Sequence, residues 1–581
     1  MKKVYFINKR SKRKLYFASA ALLLLLAFSS CKKQLDVKNP NAPTFVGNVT
    51  DETGLAAYSK GGVYWNGLNY GDGWLGDSYF SLPRGYHDLM GDFIGGGQGS
   101  NNQTTTMGVP DKFQADPNDP TTVFINPAPQ ATGIIRAFNN SASTANGNNA
   151  LYYEWTNMYA MIKACNMTLE LVGTVPLSPD KANAFKAWAY WWKGFAYAQL
   201  GTLYYAGLIV EQDNTVSNTI VNKFVNQAAL IAESNKNLNL ALTTLNGITN
   251  QGDYDGIIKQ LIPSQNQTGL GKALSLAQFV RTINTMLARN ILLNHLEPFV
   301  NGNPSATINK STITPITAAD WQSIISYCNK GIQQGDYVFT GRTTSANSFF
   351  SPSGGSVPGL LAASNQTTTY KLGERLVQQF KAGDNRRANF TIKYGTFYGD
   401  ANTNSTRYSL ADGAKDSSGG VPISSLGVPI LGSRQVGKLE IYIGPTFEEN
   451  QLMLAEAKIR TGDIPGGLTL IDNVRDYQNA GVAHVGGTAL TLSQALQELT
   501  MERLAGLAFR GLAFYDLRRW GWTYAIANGG GRYGCTLIYK KTVYNNATID
   551  YNFMDYWDVP GDELEKNPPS SDSAPIKNAN Y

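Results

Sequence analysis

Apolar residues recur at three- and four-residue spacing through eight long segments, 151–172, 180–206, 225–247, 272–297, 319–334, 447–460, 467–479 and 491–519. That period gathers apolar side chains on one face of a helix, so the pattern predicts a mostly α protein. Between these segments run long stretches rich in Gly, Asn, Thr and Ser, with few short strand-like pieces. Long irregular loops carried on a rigid helical scaffold are where binding usually sits.

Two helical segments show how the scaffold is built. In 184–205, Trp188, Trp191, Trp192 and Phe195 share one face, while Ala187, Gly194, Ala198 and Gly201 leave room for a neighbouring helix. The stripe reads as core packing rather than as a sugar platform. In 452–475 an apolar helix runs into Thr461-Gly462-Asp463 and a returning helix follows. This is the helix–turn–helix unit of tetratricopeptide-like arrays, here without a strict repeat period. The predicted fold is therefore a degenerate tetratricopeptide-like helix-pair scaffold with long irregular binding loops and few short strands.

The net charge of +6 over 581 residues is set by the N-terminus. Lys2, Lys3, Lys9, Arg10, Lys12, Arg13 and Lys14 precede any acidic residue, and without them 42 basic side chains face 43 acidic ones. A near-neutral chain with no basic stripe offers no electrostatic case for nucleic acid. After the basic cluster comes an apolar run from Leu15 to Phe28, then Ser29, Ser30 and Cys31. The run falls short of the roughly 18 apolar residues of a membrane span and has the charged front and small-residue exit of an export signal. Residues 1–30 are expected to be a lipoprotein signal peptide, with Cys31 as the lipid anchor of a mature domain, 31–581. Within that domain the helical scaffold is placed at about 150–300 and 447–521, and loop-rich binding segments at about 60–150 and 336–410. Past Cys31 the cysteines are Cys165, Cys328 and Cys535, without metal-ligand or CxxC spacing, and they read as buried free thiols.

Enzyme chemistry finds little support. His87, His295 and His484 show no metal-binding spacing, and neither a G-x-S-x-G elbow nor a P-loop occurs. Gly95–Gly99 is followed by polar coil rather than by a helix that would cradle phosphate. Paired carboxylates for glycoside hydrolysis are offered by Asp88 with Asp92 or by Glu448 with Glu449, though the latter pair opens a helix, where the dipole favours negative charge. Asp116-Pro-Asn-Asp119 matches no calcium-loop pattern. The expectation is a binding protein with no catalytic residue, no metal and no cofactor.

Several motifs together resemble the SusD/RagB family of Bacteroidetes outer-membrane lipoproteins. Leu35-Asp36 and Asn39-Pro40 are similar to that family's opening. Trp155, Tyr159, Ile162 and Asn166 match one of its helices, and Phe185-Lys186-Ala187 with Ala189-Tyr190 resembles the next. Leu454-Ala455-Glu456-Ala457, Gly462-Asp463 and Val474-Arg475 match its late helix pair. Glu502-Arg503, Phe509, Gly511, Phe514 and Asp516-Leu517-Arg518-Arg519-Trp520-Gly521 resemble its C-terminal signature, and 560–581 its closing segment. The chain departs from the signature at Gly506, Arg510 and Ala513, where acidic and arginine residues usually repeat, and a weaker ion-pair network inside the motif is expected. Asp516 and Arg519 are read as fixing helix ends.

The resemblance implies a cell-surface lid, held in the outer membrane by lipid, that captures oligosaccharides for a TonB-dependent SusC-like transporter. A peptide-capturing member of the same family and a helical-toroid glycosidase are the alternatives. Candidate binding residues are the aromatics of the polar, Gly- and Asn-rich segments: Trp65, Trp74 and Tyr79, then Phe113 and Phe124, then Tyr337, Tyr394, Phe397 and Tyr398, with Phe339 and Tyr370 nearby. A pyranose ring presents an apolar C–H face to such side chains while Asn, Gln and Asp bind its hydroxyls.

Overall fold

A computed structural model describes residues 49–64, 83–95, 107–129, 134–139, 149–267, 269–297, 307–342, 371–390, 392–398, 406–409 and 440–581. The principal helices are α1 (Glu52–Tyr64), α2 (Pro83–Met90), α3 (Tyr152–Val172), α4 (Pro179–Leu203), α5 (Gln227–Asn246), α6 (Gln251–Leu261), α7 (Leu276–Leu293), α8 (Ala318–Cys328), α9 (Glu374–Val377), α10 (Phe447–Arg460), α11 (Ile464–Tyr477), α12 (Leu492–Gly506) and α13 (Ala513–Arg519). The strands are short: β1 (Ile94–Gly95), β2 (Lys112–Gln114), β3 (Val123–Ile125), β4 (Ala206–Leu208), β5 (Phe224–Asn226), β6 (Thr340–Arg342), β7 (Lys371–Leu372), β8 (Ile392–Tyr398), β9 (Thr406–Ser409), β10 (Glu440–Tyr442), β11 (Arg532–Tyr539) and β12 (Thr542–Asp550).

Helix starts follow local chemistry. Ser178 caps α4 through the Lys181 amide with Pro179 behind it, and Ser275/Gln278, Thr317/Asp320 and Thr491/Gln494 form capping boxes at α7, α8 and α12. The turn between α10 and α11 places Gly462 at φ +97°, and Asp463 accepts the Gly466 amide at 3.0 Å. α10 and α11 then pack as a helix pair, as do α3 with α4 and α4 with α5, in a tetratricopeptide-like scaffold.

The tryptophan stripe is the heart of that scaffold. Trp188, Trp191 and Trp192 are fully buried, and Phe339 inserts among them with ring centroids 5.8, 5.5 and 5.0 Å away. The two glycines of α4 are where α5 approaches. A Cβ on Gly194 would sit 2.9 Å from Leu238 Cγ, and one on Gly201 2.9 Å from Leu230 Cβ.

The strands form two small sheets, ordered β1-β7-β9-β8 and β11-β12-β2-β3, and two ribbons, β10-β6 and β4-β5. Among the described residues no helix is long and apolar enough to cross a membrane.

The apolar period overruns the helices: segment 319–334 continues past α8, which ends at Cys328, and a larger break falls in the last segment. Segment 491–519 is two helices, α12 and α13, separated by a turn in which Phe509 (φ 59°) and Gly511 (φ 70°) are left-handed. The turn delivers the Arg510 guanidinium into the interior, where Nη2 donates to Glu448 at 2.8 Å and the group lies 4.8 Å from the Tyr442 ring. The departure at Arg510 therefore recruits a partner from α10 rather than weakening the network. Gly506 keeps space open for Glu502, whose Oε1 would lie 2.8 Å from an added Cβ.

Candidate functional site

Of the four carboxylates that sequence offered for chemistry, Asp92, Glu448 and Glu449 are held in buried ion pairs and Asp88 is buried at 3% exposure. Glu448 and Glu449 do open α10, but they are buried and paired with Arg510 and Arg289. Asp92 is clamped by Arg375 at 2.7 Å and Arg532 at 3.0 Å, with the Tyr551 hydroxyl donating to it as well. Asp516 and Arg519 stand in the first and last turns of α13, and they also join that helix to its neighbours. Asp516 accepts from Arg503 at 2.9 Å and Arg519 at 2.8 Å, and Arg519 reaches Glu456 at 2.7 Å and Glu297 at 3.3 Å. Burial raises the Glu456 carboxyl, but the charge and hydrogen bonds of Arg519 outweigh it and hold the group below the ordinary range. Asp116 and Asp119 accept amides of their own turn, from Asn118 and Thr121, both at 2.9 Å. Among the described residues no three His, Cys, Asp or Glu side chains come together as a metal site.

The candidate aromatics fall in different places. Cys31, Trp65, Trp74, Tyr79 and Tyr370 lie outside the described residues. Phe113 offers no ring face to a ligand: it is 1% exposed, stacked on Phe124 at 5.0 Å and covered edge-on by Tyr539 at 5.2 Å. Pairing of β2 with β12 puts it on the inner face of that sheet. Phe124 and Tyr337 are half-buried, the latter beneath the Lys272 ammonium at 5.5 Å, and Phe339 belongs to the tryptophan core. Tyr394, Phe397 and Tyr398 lie on β8, in the sheet with β9.

An open cleft of about 580 Å³, within the ligand-pocket range of roughly 300–1,000 Å³, is bordered by three elements that sequence reading did not bring together. The stretch after α9 contributes Gln378 and Gln379, α12 contributes Gln497, Thr500 and Met501, and the β11–β12 hairpin contributes Arg532, Tyr533, Gly534, Cys535 and Asn546, with Trp522 completing the lining. α9 packs on β11, and Gln378 Oε1 accepts the Thr536 amide at 2.8 Å, which locks the first wall to the third.

Its chemistry suits a hydroxylated ligand with apolar faces. Tyr533 is 41% exposed, an unusual position for so large a ring, and Gly534 beside it is left-handed at φ 63°. Gln378, Gln497 and Asn546 are exposed amides, each with donor and acceptor capacity. Burial pushes the Cys535 thiol up to about 11, with Arg532 and Arg375 pulling back, so it enters the lining as an inert thiol. By contrast, a cavity of about 270 Å³ between α5 and α7 is lined by Ile231, Ile291 and Ile313 beside Asn290 and Asn294, which already bond to Asn235 and Thr202.

The loop-rich segment 336–410 contains Gln378 and Gln379, so part of the wall falls where binding was expected. Gln497, Trp522 and Tyr533 were missed, and only the exposure of Tyr533 marks them. Amides on helices are commonplace, and Trp522 follows the Trp520 signature without a pattern of its own.

Comparison with known proteins bears on the scaffold. Residues 449–575, from α10 to the C-terminal tail, match the model of the SusD family. A SusD homolog from Bacteroides thetaiotaomicron is similar at a TM-score of 0.52 and 13% identity, over 88% of this chain and 94% of that one. A SusD superfamily protein from Bacteroides vulgatus gives 0.50 and 14%, over 91% and 99%. A SusD-like protein from Bacteroides fragilis gives 0.50 and 12%, over 90% and 96%. At such identities the likeness is one of fold. No curated protein matches the chain.

Proposed function

We propose that this chain, a SusD/RagB-family protein, is a nutrient-binding lipoprotein of the cell surface that captures oligosaccharides and hands them to a TonB-dependent, SusC-like transporter. The observation that carries the ligand class is the cleft, where an exposed Tyr533 ring stands among Gln378, Gln497 and Asn546. A pyranose stacks its C–H face on such a ring and takes hydrogen bonds from amides at its edges. Four clustered donors and acceptors with no activated nucleophile suit binding rather than turnover.

The lipid anchor on Cys31 and the transporter partner rest on the export-signal pattern and the family. Labelling cells with a radioactive fatty acid tests the anchor: wild type takes up label and Cys31→Ala does not. The ligand reading is tested by calorimetry with an oligosaccharide panel, alongside an assay for new reducing ends. Tyr533→Ala should weaken binding by about 1–3 kcal/mol, as loss of a stacking anchor does, with an unchanged melting temperature. Steady release of reducing ends would replace this reading with a glycosidase, and binding of peptides alone would make the chain a peptide-capturing member.

A further inference from the structure

The described residues give the cleft a single formal charge. Among the described residues Arg532 lines it and no acidic side chain does. Arg532 is 3% exposed, and its guanidinium lies 4.7 Å from the Trp522 ring. Its carboxylate partner is shared. Asp92 accepts Arg375 Nε and Nη2, both at 2.7 Å, takes the Tyr551 hydroxyl, and only then meets Arg532 Nη1 at 3.0 Å. Arg532 Nη2 has a carbonyl, that of Arg375, at the limiting distance of 3.5 Å, and among the described residues Nε meets no acceptor.

The two guanidiniums on Asp92 are thus unequal. Burial lowers both, but the charge and hydrogen bonds of Asp92 more than make this up for Arg375, which is raised, and fail to do so for Arg532, which stays below the ordinary arginine value. An arginine remains protonated in either case. A buried cation at the wall of a cleft, with donors to spare, favours a charge-assisted pair with an incoming anion. Trp522 adds an indole Nε1 that is buried without a partner among the described residues.

We propose that the cleft selects anionic saccharides, with a uronate carboxylate or a sulfate group on Arg532 and an adjacent ring on Tyr533. This rests on the saccharide-capture reading and narrows it. The exposed amides of Gln378 and Gln497 serve the hydroxyls of the same ligand.

The test is calorimetry on the mature protein with three hexasaccharides: maltohexaose as the neutral probe, a galacturonic-acid hexamer for carboxylate and a sulfated galactan hexamer for sulfate. At low salt at least one anionic probe should bind tenfold or more tighter than the neutral one. That margin should shrink as salt rises from about 20 to 200 mM, because the pair is screened. Arg532→Lys should lower anionic affinity about tenfold. In case that variant misfolds, Gln497→Glu puts negative charge in the cleft without touching the Asp92 clamp, and it should weaken the anionic probe at least fivefold more than the neutral one. The two anionic arms tell carboxylate from sulfate recognition. Neutral binding equal to or tighter than anionic binding, with Gln497→Glu acting alike on both, overturns the selection for anions and leaves saccharide capture standing. Failure of all three probes overturns both.

Discussion

Asp516 lies where the C-terminal signature meets the helix pair, and replacing it by Asn tests whether that signature is scaffold. The carboxylate is 1% exposed and takes Arg503 Nε at 3.2 and 3.1 Å, Arg503 Nη2 at 2.9 Å and Arg519 Nε at 2.8 Å. Asn keeps the shape but removes the charge, and one of its two terminal atoms becomes a donor facing guanidinium donors. Arg503 is then left with Glu456 at 4.0 Å as its nearest carboxylate. Stranding one member of a buried ion pair costs about 3–5 kcal/mol. Unfolding entropy is roughly 2.1 cal/mol/K per residue, or about 1.1 kcal/mol/K for the unit Asp51–Tyr581, so the melting midpoint should fall by about 3–5 °C. Urea denaturation followed by tryptophan fluorescence should show a lower midpoint at unchanged slope. Oligosaccharide affinity at 20 °C, where the variant is folded, should match wild type. A variant that melts like wild type would refute the ion-pair argument, and one that does so and loses binding would show that the signature is a site.

Three further outcomes follow from local geometry. Gly201→Ala should destabilise by about 1–3 kcal/mol through overpacking, because the new Cβ meets Leu230 Cβ at 2.9 Å, whereas Gly256→Ala in α6, with nothing within 4 Å, should gain up to about 1 kcal/mol; paired urea melts decide. Burial holds the Cys165 thiol at about 12 and Cys535 at about 11 and pushes Cys328 up too, so in a form lacking residues 1–31 maleimide should label none of the three at pH 7.5 until urea is added. At Glu448 burial raises the carboxyl but Arg510 outweighs it and the net shift is downward from 4.5, so its contribution is full above about pH 4.5 and lost as pH falls through the lower folded value; the urea midpoint should drop between pH 5 and 3, and less steeply in Glu448→Gln.

What sequence showed was whatever local repetition encodes. The three-four spacing of Trp188, Trp191, Trp192 and Phe195 located the core helix, and Gly194 and Gly201 located the neighbour's approach, because both signals reside within one helix. The Gly462-Asp463 turn was legible for the same reason. The break at 507–512 was not, since apolar residues continue through Leu507, Ala508 and Phe509 and the left-handed turn is enforced by a distant partner, Glu448. Phe113 failed as a binding candidate because exposure depends on which strand pairs with β2, and β12 comes from more than 400 residues later. The cleft was invisible for a like reason. Its walls come from the 370s, the 490s and the 530s, and none has a motif that announces the others.

The same buried charges fix the cleft walls, and this separates two classes of substitution. α9 is tied by Arg375 to Asp92, the hairpin by Arg532 to the same carboxylate, and α12 by Glu502, which binds Arg386 Nη1 at 2.5 Å and Arg475 Nε at 2.9 Å. Buried ion pairs add little net stability against an apolar alternative, yet their geometry is demanding. Walls so held lose little freedom when a ligand arrives, and that lowers the entropic cost of binding. Glu502→Gln should therefore do what Asp516→Asn does not. Both strand arginines in buried pairs and should lower the urea midpoint similarly. Asp516 reaches α12 through Arg503, but Glu502 is on that helix itself, immediately after the Thr500 and Met501 that line the cleft, so its loss loosens the wall more, and oligosaccharide affinity should fall about three- to tenfold through a faster off-rate. Stopped-flow binding at a temperature where both variants are folded distinguishes them. Equal affinities for the two variants would mean that the network holds the scaffold alone and that the cleft is ordered by its own packing.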